Sequence, residues 1–270
     1  KTETPKPNPF SFSGYVEAFY QYDFNKPTDN NRPGFIYSHN RHNEFNLILG
    51  FLKGSYNAER VRANLAIAAG TYMNANYAAE TGVLKNVYEA NAGLKISKKK
   101  NLWIDAGIFS SHIGFESAVS KDCWTLTRSI LADNSPYFES GAKLTYTSDN
   151  NKWLVSGLVL NGWQRIKRVD ANSLMSYGTQ LQYKPNSNIT LNYSTFIGTD
   201  KPDSARLWRY FHNVYGVINV TGKFGITAGF DIGSEQKTKG SNDFNTWYSP
   251  VLILKYAVTT KLAIAARGEY

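Results

Sequence analysis

The amino-acid sequence predicts an all-β protein, an antiparallel, up-and-down transmembrane β-barrel. Three observations predict it: period-two alternation of apolar and polar residues along thirteen segments, connections that are alternately short and long, and a composition rich in aromatic residues (14%) and glycine (21 residues) with only 19% charged residues. No apolar run approaches the roughly 18 consecutive apolar residues of a membrane-spanning helix, which excludes helical membrane proteins. The 42% hydrophobic content excludes a disordered chain.

The thirteen segments are assigned in chain order by counting parity. In 12–24 the even-numbered residues are mainly apolar, and 45–53 shows a similar stripe. In 61–69 the apolar residues alternate with polar or small ones, and 88–96 sets Tyr88, Ala90, Ala92, Leu94 and Ile96 against Glu89, Asn91, Gly93 and Lys95. Further stripes are found at 102–109, 137–147, 175–183, 189–196, 213–220, 224–231, 247–256 and 262–270. Segment 153–160 is apolar on both sides, so its facing stays open, and no segment has a helical pattern.

The connections between these segments differ regularly in length. Short polar turns are predicted at 54–60, 97–101, 148–152, 184–188, 221–223 and 258–261. Long loops are predicted at 25–44, 71–86, 110–136, 161–174, 197–212 and 232–246. This alternation is typical of outer-membrane barrels, which have short periplasmic turns and long extracellular loops.

A soluble β-sandwich also alternates apolar and polar residues and is the main alternative fold. Two features favour the barrel: aromatic residues gather near the ends of the apolar stripes, where interfacial girdles need them, and the polar sides are rich in small neutral residues. Apart from Lys53 at the end of 45–53, the apolar sides also lack Asp, Glu, Lys and Arg in the twelve segments with a clear facing, although any buried face would avoid charge.

The predicted organisation is a periplasmic tail over 1–11 and a barrel domain over 12–270. Bacterial single-chain barrels have even strand numbers, whereas thirteen segments are seen, so we expect at least 14 strands in the complete protein and a chain that stops short at its C-terminus. No secretory signal is visible, and we expect that it has been removed. The tail is too short for a plug domain, which argues against a plugged transporter.

Short glycine-led motifs around the longest loop carry a family resemblance. Gly107-Ile108-Phe109 is followed by His112-Ile113-Gly114-Phe115-Glu116, Thr127-Arg128-Ser129 and Gly141-Ala142-Lys143-Leu144. Together with the opening and closing segments, these resemble the OmpL-like β-barrel porin family of Gram-negative bacteria, particularly its Bacteroidetes-type versions. The resemblance implies an outer-membrane, porin-like channel.

Charged residues on the polar sides of the strands and in the longest loop are the candidates for a pore wall or constriction. They are Glu17, Arg62, Glu89, Asp105, Glu116, Lys121, Asp122, Arg128, Lys143 and Arg267. The signs are mixed, which predicts no strong preference for cations or anions. Loop 110–136, with 27 residues, is longer than a surface connection needs. We expect it to fold inward and narrow the lumen, the alternative being an extracellular cap.

The predicted function is passive diffusion of small hydrophilic solutes, without a cofactor or metal. The expected partners are lipid, lipopolysaccharide and the outer-membrane assembly machinery. A non-conducting barrel for adhesion or partner binding stays open, as does, less favoured, a hydrolase at the rim. For the hydrolase, His39, His42, His112 and His212 lie in or beside long loops, but no nucleophile motif accompanies them, so no enzyme is expected.

The net charge of +9 has several candidate roles. Nucleic-acid binding is excluded, because no basic stripe with stacking aromatic residues is found. The run 98–100 contacts lipid headgroups or a partner, or is a solvated turn, and the pattern favours the turn. The cations of 165–168 contact lipopolysaccharide or anionic solutes, or serve loop solubility; both interpretations stay open.

Overall fold

The computed structural model describes residues 8–270 and contains thirteen strands in one antiparallel sheet whose spatial order is the sequence order. The strands are β1 (Phe10–Tyr20), β2 (Phe45–Asn57), β3 (Val61–Ala69), β4 (Val87–Lys95), β5 (Asn101–Ser110), β6 (Phe138–Thr147), β7 (Trp153–Leu160), β8 (Ser176–Asn186), β9 (Ile189–Gly198), β10 (Arg209–Asn219), β11 (Phe224–Gln236), β12 (Phe244–Ala257) and β13 (Ala263–Glu269). The predicted all-β, up-and-down fold class is therefore confirmed, and each of the thirteen segments contains a strand.

The two faces of the sheet differ in the way that the alternation predicts. On β1, Val16 is 76% exposed, whereas its neighbour Glu17 is half-buried. We call the exposed face the outer face, and the face covered by loop residues the inner face. The open facing of β7 is settled by burial, because Leu158 and Leu160 are buried on the inner face while Val159 is exposed.

Local irregularities account for the differences from the predicted boundaries. β1 begins at Phe10, inside the expected tail 1–11, and ends at Tyr20 rather than at residue 24; residues 1–7 of that tail lie outside the described residues. A bulge between β3 and β4 shifts the register at Ala66, and Tyr88 then stacks on Phe51 of β2 at 5.2 Å. The prediction that Tyr88 lies on the apolar outer side is therefore wrong.

The long loops contain short helices that the alternation did not indicate. They are α1 (Thr71–Asn76), α2 (Ile130–Asp133) and three 3₁₀ turns at Gly82–Asn86, Ser120–Asp122 and Asp203–Ala205. Across residues 8–270, none of the helices has the length and apolar character needed to cross a membrane.

Two glycines beside the longest loop allow neighbouring strands to approach closely. Gly107 of β5 and Gly141 of β6 are direct cross-strand partners with φ of 124° and 157°. A Cβ atom at either position would lie about 2 Å from a carbonyl oxygen of the next strand, that of Ala90 or Val159. Only glycine allows this close backbone approach.

The first and last strands form the two edges of the described sheet. β1 pairs with β2, β13 pairs with β12, and no pairing between β1 and β13 occurs within residues 8–270.

Candidate functional site

The inner face of β2–β6 carries a belt of paired charges. Arg62 donates to both oxygens of Asp105, at 2.6 and 2.5 Å, and Lys53 Nζ lies 2.5 Å from Glu89 Oε2. Lys143 is the direct cross-strand neighbour of Asp105, and its ammonium group lies 4.5 Å from the centre of the Phe109 ring.

In these pairs the cationic side chains keep partial contact with solvent. The side chains of Arg62 and Lys53 are 33% and 27% exposed. Among residues 8–270, no hydrogen bond joins loop 110–136 to Lys53, Arg62, Glu89, Asp105 or Lys143. This wall is mixed in sign and neutralised pair by pair.

The opposite wall, β7–β12, carries mainly neutral polar side chains along its middle and is more deeply buried there, whereas Lys255 and the Arg209–Glu235 pair lie toward the strand ends. Six polar side chains follow one another in direct cross-strand register: Ser156, Gln180, Ser194, Asn213, Asp231 and Ser249. Ser194 and Asn213 have no exposed surface, and the amide of Asn213 donates to Asp231 Oδ1 at 2.5 Å. Asp231 is the one charged group in this row. We call these six residues the polar row.

Loop 110–136 is attached to the polar row at its N-terminal end. Ser194 Oγ donates to the carbonyl oxygen of His112 at 2.6 Å, and the backbone N–H of Gly114 donates to Asn213 Oδ1 at 3.2 Å. His112 Nε2 also lies 2.9 Å from the carbonyl oxygen of Thr195. The row therefore satisfies backbone groups of the loop that burial would otherwise leave unpaired.

Aromatic rings of the loop fill gaps left by glycines on β11. A Cβ atom at Gly225 would lie 2.6 Å from Trp124, and one at Gly229 would lie 2.8 Å from Phe115. The two rings pack against a buried cluster that includes Ile253 of β12. We call the spaces above Gly225 and Gly229 the sockets of β11; any larger residue at either position would fill its socket.

Arg128 organises the middle of the loop. Its guanidinium group donates to the carbonyl oxygens of Ser117 (2.6 Å), Ala118 (3.2 Å) and Leu126 (3.3 Å), and to Ser120 Oγ at 2.9 Å. Only 8% of Arg128 is exposed. The residue fixes the backbone of the loop from within.

The loop also contacts both edges of the sheet. On β13, Arg267 donates to Thr127, and Glu269 Oε2 accepts from the backbone N–H of Ile130 at 2.8 Å. On β1, the ammonium group of Lys121 lies 5.7 Å from the centre of the Tyr15 ring. A loop between β5 and β6 reaches both β1 and β9–β13 only because the sheet curves around it. The loop thus lies inside the curve of the sheet and not above its rim.

Two buried titratable groups lie near the two ends of the loop. Burial lowers the pKa of His112 to about 4, although the hydrogen bond to Thr195 opposes the shift. Burial raises the pKa of Asp133 to about 6, and the hydrogen bond from Tyr137 opposes it. Each group is shifted toward its neutral form, as expected for groups removed from water.

Two cavities lie between the loop and the walls. One of about 250 Å³ is lined by Tyr88, Glu116, Tyr137 and Tyr215, and one of about 100 Å³ lies beside Trp124. Either could hold water or a small solute, and neither is large enough for a macromolecule.

The structure separates the ten candidate residues into three groups. Arg62, Glu89, Asp105 and Lys143 come together in the charge belt. Arg128, Glu116, Lys121 and Asp122 lie in loop 110–136, where Glu116 accepts from the backbone and hydroxyl of Ser129 and thereby serves the fold of the loop. Glu17 and Arg267 lie on the edge strands, the first accepting from Tyr15 at 2.8 Å and the second contacting the loop. Whether any of them lines a conducting path stays a prediction.

Sequence reasoning missed several residues that shape this interior. Lys53 lies on the inner face of β2 and was not singled out, because it shares the parity of Leu49 and Phe51. Asp231 and Asn213 were not recognised as parts of one row. Gly225 and Gly229 were not singled out either. Their alternation every four positions on the inner side of β11 is the one signal that could have indicated sockets.

The four histidines are dispersed over the structure. His39 packs edge-on against Phe19, His42 Nδ1 accepts from the backbone N–H of Asp23 at 2.7 Å, and His212 contacts Tyr193 on the outer face. No group of three or more His, Cys, Asp or Glu side chains in the described part of the chain has the arrangement of a metal site.

The basic side chains of loop 161–174 have different partners and do not lie together. Arg168 donates to the carbonyl oxygen of Asn172, and Lys167 pairs with Asp170 at 3.0 Å on the surface. Arg165 lines a cavity of about 350 Å³ together with Arg209. The run is therefore no continuous basic patch, and its contact with lipopolysaccharide or anionic solutes stays untested.

Comparison with known proteins yields one family. The family model described as putative beta-barrel porin-2, OmpL-like, matches residues 9–270. Similar solved structures include OmpT of Vibrio cholerae folded in vitro (11% identity, 100% of this chain and 89% of that chain, TM-score 0.43) and its trimer form (9%, 97% and 88%, TM-score 0.44). OmpT expressed in the outer membrane is similar at 9% identity, over 99% of this chain and 89% of that chain, with a TM-score of 0.45. No curated protein matches the chain.

Proposed function

The chain belongs to the OmpL-like family of outer-membrane β-barrel porins, and on that premise we propose that it is a channel for passive diffusion of small hydrophilic solutes. The diffusion path runs along the charge belt of β2–β6, and loop 110–136 narrows the lumen from the opposite side. No turnover and no cofactor are part of this function.

The position of loop 110–136 is the observation that carries the proposal. The loop covers the neutral wall through hydrogen bonds to the polar row and ring packing on β11, whereas it makes no hydrogen bond to the charge belt within residues 8–270. A porin needs an inner surface that holds water and a constriction that selects by size. The belt supplies the first and the loop the second.

The charge belt predicts weak ion selectivity. Arg62 and Asp105 neutralise each other, as do Lys53 and Glu89, and Lys143 leaves one positive charge in excess. Selectivity filters with a strong preference use rings of one sign. We therefore expect a channel that sorts solutes mainly by size and polarity.

A non-conducting barrel is the second candidate, favoured by the aromatic packing of the interior. Tyr77 stacks on Phe138 with ring centres 4.0 Å apart, and Trp163 packs edge-on against Phe196 and Phe211 at 4.9 and 4.8 Å. If these clusters close the lumen, the long loops become the functional surface for adhesion or partner binding.

Single-channel conductance in a planar bilayer tests the proposal, using purified full-length protein and a salt gradient. Steady ohmic steps with a small reversal potential are the expected result. A protein that inserts into the bilayer and stays silent overturns the diffusion function and favours the adhesion barrel. A parallel assay for lipid hydrolysis tests for a rim hydrolase, and we expect no product.

A further inference from the structure

The positive charge of the protein is concentrated at the end of the sheet that carries the short turns. The predicted short turns contain eight cations and only two carboxylates, Glu59 and Asp149. The eight cations are Arg60, Lys98, Lys99, Lys100, Lys152, Lys184, Lys223 and Lys261, and all are exposed. Six of the nine net charges therefore lie at this rim, and each of the six turns supplies at least one cation.

Two of these lysines lie side by side at one end of an apolar groove. The backbone N–H of Lys184 donates to the carbonyl oxygen of Lys152 at 2.7 Å. The residues next to them, Trp153 and Tyr183, point to the outer face and stack with ring centres 4.2 Å apart. Aromatic rings of this kind mark the boundary between hydrocarbon and headgroups.

The groove begins at this aromatic pair and crosses the outer face of β8–β11. Its volume is about 460 Å³, and Leu191 and Val214 form its sides. Its floor is low because Gly216 and Ala228, which are direct cross-strand partners, have little or no side chain. A groove on this face opens into the hydrocarbon of the membrane.

We propose that Lys152, Lys184 and the groove form a binding site for one anionic phospholipid of the periplasmic leaflet. The two ammonium groups bind the phosphate of the headgroup, and an acyl chain lies over Gly216 and Ala228. Charge selects the occupant: an apolar groove alone would accept any lipid chain, but two lysines at its headgroup end favour a phosphodiester with a net negative charge.

Reconstitution into bilayers of equal parts phosphatidylglycerol and phosphatidylcholine tests the site, with retained lipids identified by native mass spectrometry after extraction. The wild type retains phosphatidylglycerol preferentially, and Lys152→Gln with Lys184→Gln lowers this preference roughly tenfold, since each cation near a membrane surface attracts anionic lipid. The matched control, Lys98→Gln with Lys99→Gln, removes the same charge from the turn between β4 and β5, away from the groove, and keeps the preference. Equal loss in both double variants, or equal retention of the two lipids by the wild type, overturns the site.

A second pair of variants tests the groove. Ala228→Phe fills the floor and lowers phosphatidylglycerol retention, whereas Ala92→Phe places the same ring on the outer face of β4, away from the groove, and leaves it unchanged. If Ala228→Phe retains lipid like the wild type, the acyl-chain part of the proposal is wrong. Far-UV circular dichroism of the same preparations reports on folding, and conductance reports separately on the channel.

Discussion

The two inner walls of the sheet use polar residues in opposite ways. On β2–β6, charged side chains pair with one another across strands and keep contact with solvent. On β7–β12, neutral side chains are turned to backbone groups of loop 110–136 and lose contact with solvent, as Ser194 and Asn213 show. Charge thus lines the side that stays open to water, and neutral polarity the side that is covered. A buried neutral hydrogen bond costs less desolvation than a buried ion pair, which explains the division.

The largest effect is expected from filling the space above Gly225 on β11, because this should displace loop 110–136 from the neutral wall. Gly225→Ile places side-chain atoms where the Trp124 ring lies, so the loop should leave the neutral wall and single-channel conductance should rise several-fold. The matched control is Gly157→Ile, because a Cβ atom at Gly157 on the outer face meets nothing within 4 Å. Unchanged conductance of Gly225→Ile, in a barrel that inserts normally, would show that the loop does not set the constriction.

Removing the internal support of the loop is the next largest change. Arg128→Met leaves the carbonyl oxygens of Ser117, Ala118 and Leu126 without their donor, and we expect the docked loop to lose about 2–4 kcal/mol of stability. Hydrogen exchange of residues 117–129 should become faster. Lys121→Met, at an exposed position, is the control and should leave exchange nearly unchanged. Wild-type protection in Arg128→Met would refute this role.

The docking of loop 110–136 on the neutral wall should depend on pH. The two groups with shifted pKa values, His112 and Asp133, should affect it in opposite directions. His112 has a pKa of about 4 when docked, so docking weakens as the pH falls from about 6.5 to 4, where only the undocked histidine takes up a proton. Asp133 has a pKa of about 6 when docked, so docking weakens as the pH rises from about 4 through 6, where only the undocked carboxyl has lost its proton. Each effect amounts to at most about 3 kcal/mol.

Single variants should separate the two effects between pH 4 and 6.5. Asp133→Asn leaves the histidine, and loop protection should rise with pH; His112→Gln leaves the carboxyl, and protection should fall with pH. Glu116, Arg128 and Arg267 face Asp133 and modify its titration in the wild type and in His112→Gln. Hydrogen exchange of the loop at several pH values measures both slopes, and two slopes of the same sign would contradict the assignment.

The smallest expected effect concerns the charge belt. Arg62→Gln removes the ion pair of Asp105 and with it the single positive charge by which the belt exceeds neutrality, so the reversal potential in a salt gradient should shift modestly toward cations. Lys100→Gln removes a positive charge from an exposed turn pair and should give no shift. Equal reversal potentials for Arg62→Gln and the wild type would place the belt outside the conducting path.

The two walls also differ in how much of their structure could be predicted from the sequence. Strand facing follows from period two, so the sides of β1 and β3 are predictable; β7 is not, because Leu158 and Val159 look alike to the pattern although one is buried and the other exposed. The prediction for Tyr88 was wrong because counting alternate residues cannot detect a β-bulge, which shifts the register between β3 and β4. In the interior, residue types indicated the charge belt, but the polar row depends on strand register, and the sockets at Gly225 and Gly229 depend on where a distant loop lies.

The contacts of loop 110–136 with β13 also constrain the order in which the protein folds. Ile130 and Glu269 are hydrogen-bonded although they lie 139 residues apart in the chain, and Arg267 holds Thr127 across a similar separation. Such contacts close very large chain loops and form late in folding. Loop 110–136 is made early in sequence but can complete its docking only after β13 has paired. The contacts with the polar row and β11 can therefore form before those with β13, and the pairing of β13 secures the far side of the loop.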